Sequence, residues 1–78
     1  MAIKAYILIE TTIGKTKDVT DSLVSIEGME SVDAVTGPYD IIAIARAGDV
    51  NSVGGLVTER IHTIPGIIKT VTCLSITA

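Results

Sequence analysis

At 78 residues, 47% of them hydrophobic and 3% aromatic, with a net charge of −3, the chain has the size of one domain and little room for a core of its own. A fold this small buries only about 60–65% of the surface that its unfolded form exposes, and one cysteine with one histidine excludes a disulfide framework and leaves little for a structural metal. A mean hydropathy of +0.56 is high for so small a monomer, so a second hydrophobic face covered by another chain is expected.

In chain order, Ile3, Ala5, Ile7 and Ile9 alternate with Lys4, Tyr6, Leu8 and Glu10, which predicts a first strand with two different faces. From Lys15 to Ile26 the apolar positions Val19, Leu23, Val24 and Ile26 share one helical face, with Asp18, Asp21, Ser22 and Ser25 opposite. Gly28 stands where a helix end wants a left-handed residue. A second strand is predicted from Met29 to Thr36, the Gly37-Pro38 turn reverses the chain, and Tyr39 to Ala47 returns as a third strand. Asp49 is a good N-cap for a second helix, whose apolar stripe is Val50, Val53, Leu56, Val57, Ile61 and Ile64. Pro65-Gly66 stops it, and Ile67 to Ile76 is the last strand.

A faint internal repeat supports this division. Ile26-x-Gly28 and Ile64-x-Gly66 match at the same offset as "IKAYILI" from Ile3 and "IIAIARA" from Ile41, so each half reads strand, helix, strand. The whole is then β-α-β-β-α-β, an α+β, ferredoxin-like sandwich with two helices on one face of a four-stranded antiparallel sheet. In the third strand Tyr39, Ile41, Ala43, Ala45 and Ala47 point one way and Ile42 and Ile44 the other, so both sheet faces are apolar. Two helices cover only one. The economical cover for the other is the same sheet from a second copy, closing a dimeric α+β barrel by two-fold symmetry.

Residues that could carry chemistry are few. His62, the single histidine, suits the end of the second helix, where a cation favours the dipole. Cys73, inside a strand, is expected to be a small buried hydrophobe. "GMES" at Gly28 has the position of a copper-chaperone loop but none of the cysteines that a soft metal needs, so no metal and no cofactor are expected. Gly54-Gly55 within a predicted helix points to close packing against a neighbour or to a local break. The six basic residues Lys4, Lys15, Lys17, Arg46, Arg60 and Lys69 form no stripe that could follow a phosphate backbone, so the chain alone is not expected to bind nucleic acid. No apolar run approaches the roughly 20 residues of a membrane span. The first residues lack the features of a signal peptide, and a single cysteine fits a reducing compartment, so a cytoplasmic location is expected.

The order and spacing of Thr36-Gly37, Tyr39-Asp40 and the stretch from Pro65-Gly66 to Thr72, each between apolar strands, carry a resemblance over essentially the whole chain. The chain resembles the effector-binding domain of the Lrp/AsnC feast-or-famine transcription regulators, the domain of regulation of amino-acid metabolism. Full members place a helix-turn-helix before this domain, whereas here the chain begins at the first strand, so it is similar to a stand-alone form comprising residues 1–78, and the DNA binding does not carry over. The resemblance implies a homodimer that assembles into an octamer or decamer, a small effector, typically an amino acid, bound where dimers meet, and a full-length relative as a possible partner. Carried onto this sequence, the pocket is Gly37, Pro38, Tyr39 and Asp40, with Thr70 and Thr72 from the last strand. The physics is compatible, because glycine admits a carboxylate to backbone N–H groups, Asp40 suits an ammonium and the Tyr39 ring covers an apolar stem. Each residue also has a plainer role: a turn for Gly37-Pro38, a brace for Asp40, core for Tyr39, and strand propensity for Thr70 and Thr72. The expected function is a small-molecule-binding regulatory module and not an enzyme. The alternatives are a small dimeric α+β barrel enzyme of monooxygenase or isomerase type, or a regulatory domain of the ACT type. The enzyme would need an acid, base or redox group between sheet and helices.

Overall fold

Alternation along β1 (Ile3–Thr11) does what its sequence demands: Ala5, Ile7 and Ile9 are fully buried while Tyr6 is exposed and Leu8 half-buried. The structure, a computed structural model, describes residues 2–77. β1 is flanked by β3 (Ile41–Ala47) and β4 (Ile67–Leu74), and β2 (Met29–Ala34) adds outside β3, giving the sheet order β2-β3-β1-β4 with every pair antiparallel. Ile41, Ala43 and Ala45 of β3 face the same side as Ala5, Ile7 and Ile9 and are as deeply buried.

Two helical elements cover that side. α1 (Thr16–Val24) contributes Val19 and Leu23, and the second helical element contributes Val53, Val57 and Ile61, one apolar side chain per turn. Together these residues form a single core, in which full burial of an aliphatic side chain is worth about 1.5–3 kcal/mol. The element order is the β-α-β-β-α-β of a ferredoxin-like α+β fold.

The second helix is where local sequence and structure interact most. Asp49 caps it as expected, its side chain accepting the Ser52 N–H at 2.7 Å. α2 (Val50–Gly55) then loosens at Gly54-Gly55 into a π-helical segment (Leu56–Ile61), and the His62 N–H donates to the Val57 carbonyl, five residues back. A Cβ at Gly54 or Gly55 would meet nothing within 4 Å among the described residues, and the change of helix type after Gly55 is a local break of the kind expected for this pair. Two consecutive glycines weaken the α-helical ladder enough for it to slip by one residue. Gly28 and Gly66, the two copies of the repeat, both adopt positive φ, and their carbonyls accept the N–H groups of Arg46 and Thr12.

Several boundaries move inward. α1 ends at Val24, and Ile26 is buried from the turn that follows. β2 stops at Ala34 instead of Thr36 and β3 starts at Ile41 instead of Tyr39, because residues 35–40 form a loop closed by the Val35 N–H on the Asp40 carbonyl. β4 ends at Leu74 instead of Ile76. Val50, placed in the apolar stripe by its spacing, is exposed at the first turn. Cys73 is exposed, not buried: it sits on the edge strand and pairs with Tyr6, on the side of the sheet away from the helices.

Candidate ligand-binding site

The loop of residues 35–40 leaves the sheet at the end where β1 finishes and β4 begins. Gly37 has φ +126°, a conformation that disfavours any side chain, and open space stands where its Cβ would be. Gly37 and Pro38 are exposed, and Tyr39 and Asp40 half-buried. Asp40 is the anchor. Its Oδ2 accepts the Thr11 N–H at 2.8 Å, its own N–H donates to the Ile9 carbonyl at 2.9 Å, and its carbonyl closes the loop. The Thr11 hydroxyl in turn bonds the Thr16 hydroxyl at 2.8 Å, so the loop, the end of β1 and the start of α1 are one hydrogen-bonded unit. Bracing by Asp40 is therefore present in the fold, with one carboxylate oxygen committed to it.

Thr70 and Thr72 stand elsewhere. They lie opposite Ile9 and Ile7 across the β1–β4 ladder, and opposite residues share a face, so both belong to the helix side of the edge strand. Thr70 Oγ1 is 2.7 Å from His62 Nε2, a bond between the end of the π segment and β4 that no local sequence feature announces. Thr70 borders a cavity of about 260 Å³ with His62 and Ile67, and Thr72 borders one of about 300 Å³ between α2 and β4 with Val50, Val53, Val57 and Leu74. Neither cavity is lined by the 37–40 loop. Since β1 separates β3 from β4, one chain does not bring Asp40 and the two threonines into one pocket.

The electrostatics of the region are mild. Among the described residues no group of three His, Cys, Asp or Glu side chains could hold a metal ion. The core between sheet and helices is aliphatic, and Thr11 is the buried polar residue at its end. Asp49 is held below the usual aspartate range, chiefly by the Ser52 N–H that it accepts.

A family model for the Lrp/AsnC ligand-binding domain matches residues 4–78. The chain belongs to that family. It is 36% identical over 59 residues to an uncharacterized helix-turn-helix-type transcriptional regulator of Pyrococcus furiosus, a match that covers 76% of this chain and 39% of that protein. The chain thus matches about two fifths of that regulator's length. Among solved structures it is similar to TTHA0845 of Thermus thermophilus, with a TM-score of 0.93, 30% identity and coverage of 97% of this chain and 95% of that one. It also shares its fold with a transcriptional regulator of Neisseria meningitidis solved in complex with L-methionine, with a TM-score of 0.87, 17% identity and coverage of 96% and 50%. No helix among the described residues is long and apolar enough to cross a membrane.

Proposed function

We propose that this chain is an amino-acid-sensing module of the Lrp/AsnC type, acting by assembly in the cytoplasm and without catalysis or direct nucleic-acid binding. The observation that carries this reading is the braced loop. Gly37 offers an exposed backbone beside the half-buried Tyr39 and Asp40, and Asp40 keeps one carboxylate oxygen beyond the one that Thr11 occupies. A zwitterion needs backbone donors for its carboxylate and an acidic acceptor for its ammonium, and this loop has both within four residues. The rest of the pocket comes from a neighbouring subunit, whose Thr70 and Thr72 approach the loop from outside, so that occupancy and assembly are linked by mass action. The unit of assembly is a dimer through the uncovered sheet face. Octamers or decamers of that unit, or mixed assemblies with a longer relative that carries a DNA-binding domain, give it access to a promoter. The aliphatic filling between sheet and helices favours this reading over a barrel enzyme, whose acid or base would have to stand there.

Calorimetry with a panel of amino acids, L-methionine first because a protein of the same fold was solved with it, tests the reading. Asp40→Asn keeps an oxygen for the Thr11 N–H and removes the charge. It should weaken the bound amino acid by about 1–3 kcal/mol while leaving the melting temperature nearly unchanged. Equal affinity in the variant assigns Asp40 to bracing alone, and absence of binding across the panel removes amino acids as the effector.

A further inference from the structure

We infer that the cavity between the end of the π segment and the start of β4 binds a small oxyanion, a carboxylate or a phosphoryl group, which enters together with a proton taken up from solvent by His62. This goes beyond the amino-acid reading above, with which it shares only Thr70. The cavity measures about 260 Å³ and is bordered by His62, Ile67, Ile68, Lys69 and Thr70. No carboxylate stands among these residues, in a chain whose net charge is −3. The volume lies below the roughly 300–1,000 Å³ of sites for drug-sized ligands, so it suits an anionic head group with few further atoms.

Two side chains from different elements make the polar wall. His62 ends the π segment, and its Nε2 lies 2.7 Å from Thr70 Oγ1 on the edge strand. When the imidazole is neutral and Nε2 carries no proton, the Thr70 hydroxyl donates to the ring and its hydrogen is consumed within the chain. A charged imidazole reverses the bond: Nε2–H donates to Thr70 Oγ1, and the hydroxyl hydrogen turns outward as a donor. One proton thus supplies a positive charge and frees a hydrogen-bond donor beside it, and hydrogen bonds that involve ionised groups are the strong ones. The other neutral tautomer frees the hydroxyl but brings no charge. The carbonyl end of a helix repels an anion, so the neutral forms offer it little and its binding follows the uptake of the proton.

The other charges near His62 do not replace it. Glu59 and Arg60, the charged residues of the π segment, border a different cavity with Ser52, Gly55 and Leu56. Lys69 precedes Thr70 in β4 and so belongs to the opposite face of the sheet, where it lies level with Glu10 of β1, which offsets part of its charge. From α1 and its cap, Lys15 comes against Gly66, and its ammonium lies 4.0 Å from Asp18. The imidazole is therefore the group whose charge decides occupancy, with Lys69 a weaker contributor.

An NMR titration of the full chain at fixed ionic strength decides the matter. Sodium sulfate, standing in for a phosphoryl group, and sodium acetate are added at about pH 6 and about pH 8, a range over which both anions keep their charge while imidazole changes its own. The ring hydrogens of His62, the single histidine, and the amide of Thr70 report binding. At least one anion should saturate, with an affinity about tenfold higher at the lower pH; a preference for sulfate assigns a phosphoryl ligand and a preference for acetate a carboxylate. His62→Gln should abolish that pH dependence, Thr70→Val should weaken binding at the lower pH by about fivefold, and Lys69→Gln by no more than about twofold. His62 and Lys69 are exposed and Thr70 half-buried, and circular dichroism checks that each variant folds. No saturable change with either anion, equal affinity at the two pH values, or a pH dependence that survives in His62→Gln would overturn the inference. Asp40→Asn should leave anion binding unchanged, so that this site and the amino-acid site stand or fall separately.

Discussion

The two faces of the sheet are built from the same strands and nearly the same residues, yet Ile7 and Ile41 on one are fully buried while Leu8, Ile42 and Ile44 on the other are only half-buried. What separates them is the cover. On one side α1 and α2 with its π segment deliver Val19, Leu23, Val53, Val57 and Ile61, and the layer is complete within the chain. On the other, Tyr6, Leu8, Ile42, Ile44 and Val71 form apolar rows with charged ends and no second layer among the described residues. The difference teaches that an apolar strand face specifies a partner layer without specifying which chain supplies it. The small alanines Ala5, Ala43 and Ala45 occur on the helix side, where all three are buried. The uncovered side uses larger side chains and a tyrosine, which suits a looser, chain-to-chain contact.

The sharpest way to break this comparison is to cut the same group from each face. Ile7→Ala, in the completed core, should cost about 2–5 kcal/mol, read from urea melts, and the cost should not depend on protein concentration. Next in size is Gly66→Ala, which tests how closely α1 sits on the covered side. Gly66 has φ +101°, and a Cβ there would stand 2.9 Å from Lys15 Cβ and 3.1 Å from Val19 Cγ2. Strain and contact together should cost about 1–3 kcal/mol. Ile44→Ala on the uncovered face should cost only about 1 kcal/mol per subunit, and that cost should shrink on dilution as the dimer dissociates. If Ile44→Ala behaved like Ile7→Ala at every concentration, the distinction between the faces would fail.

The smallest effect concerns the cap that starts the covering helix. Asp49→Ala removes the acceptor of the Ser52 N–H and should lower the melting temperature slightly at neutral pH. Because the folded-state pKa of Asp49 lies below its ordinary value, the cap's contribution is complete above the unfolded carboxylate value of about 4. It is lost as pH falls through the lowered folded value. Melts of wild type and variant should therefore converge in acid, and a gap that persists there would mean that the side chain acts through something other than its charge.

The sequence by itself determined the element order, the two-sided sheet and the family. Strand alternation, helical spacing, a capping aspartate and glycines with a left-handed task are all written within a few consecutive residues, and Asp49, Gly28 and Gly66 behave as their positions require. The position of the loop at Gly37 was equally legible, although its six-residue span was not, since the closing bond from Val35 to Asp40 ends both strands early. Tertiary structure alone decided what Asp40 holds, that Thr70 bonds His62, and that Thr70 and Thr72 lie two strands away from the loop. It also exposed Cys73, expected to be a buried hydrophobe inside a strand, because that strand is an edge. The reason is range. Periodicity and capping depend on neighbours in sequence and leave a local signature, whereas the Thr11–Asp40 bond and the neighbours of β4 depend on strand register across the sheet, which is set only when the whole hydrophobic layer closes.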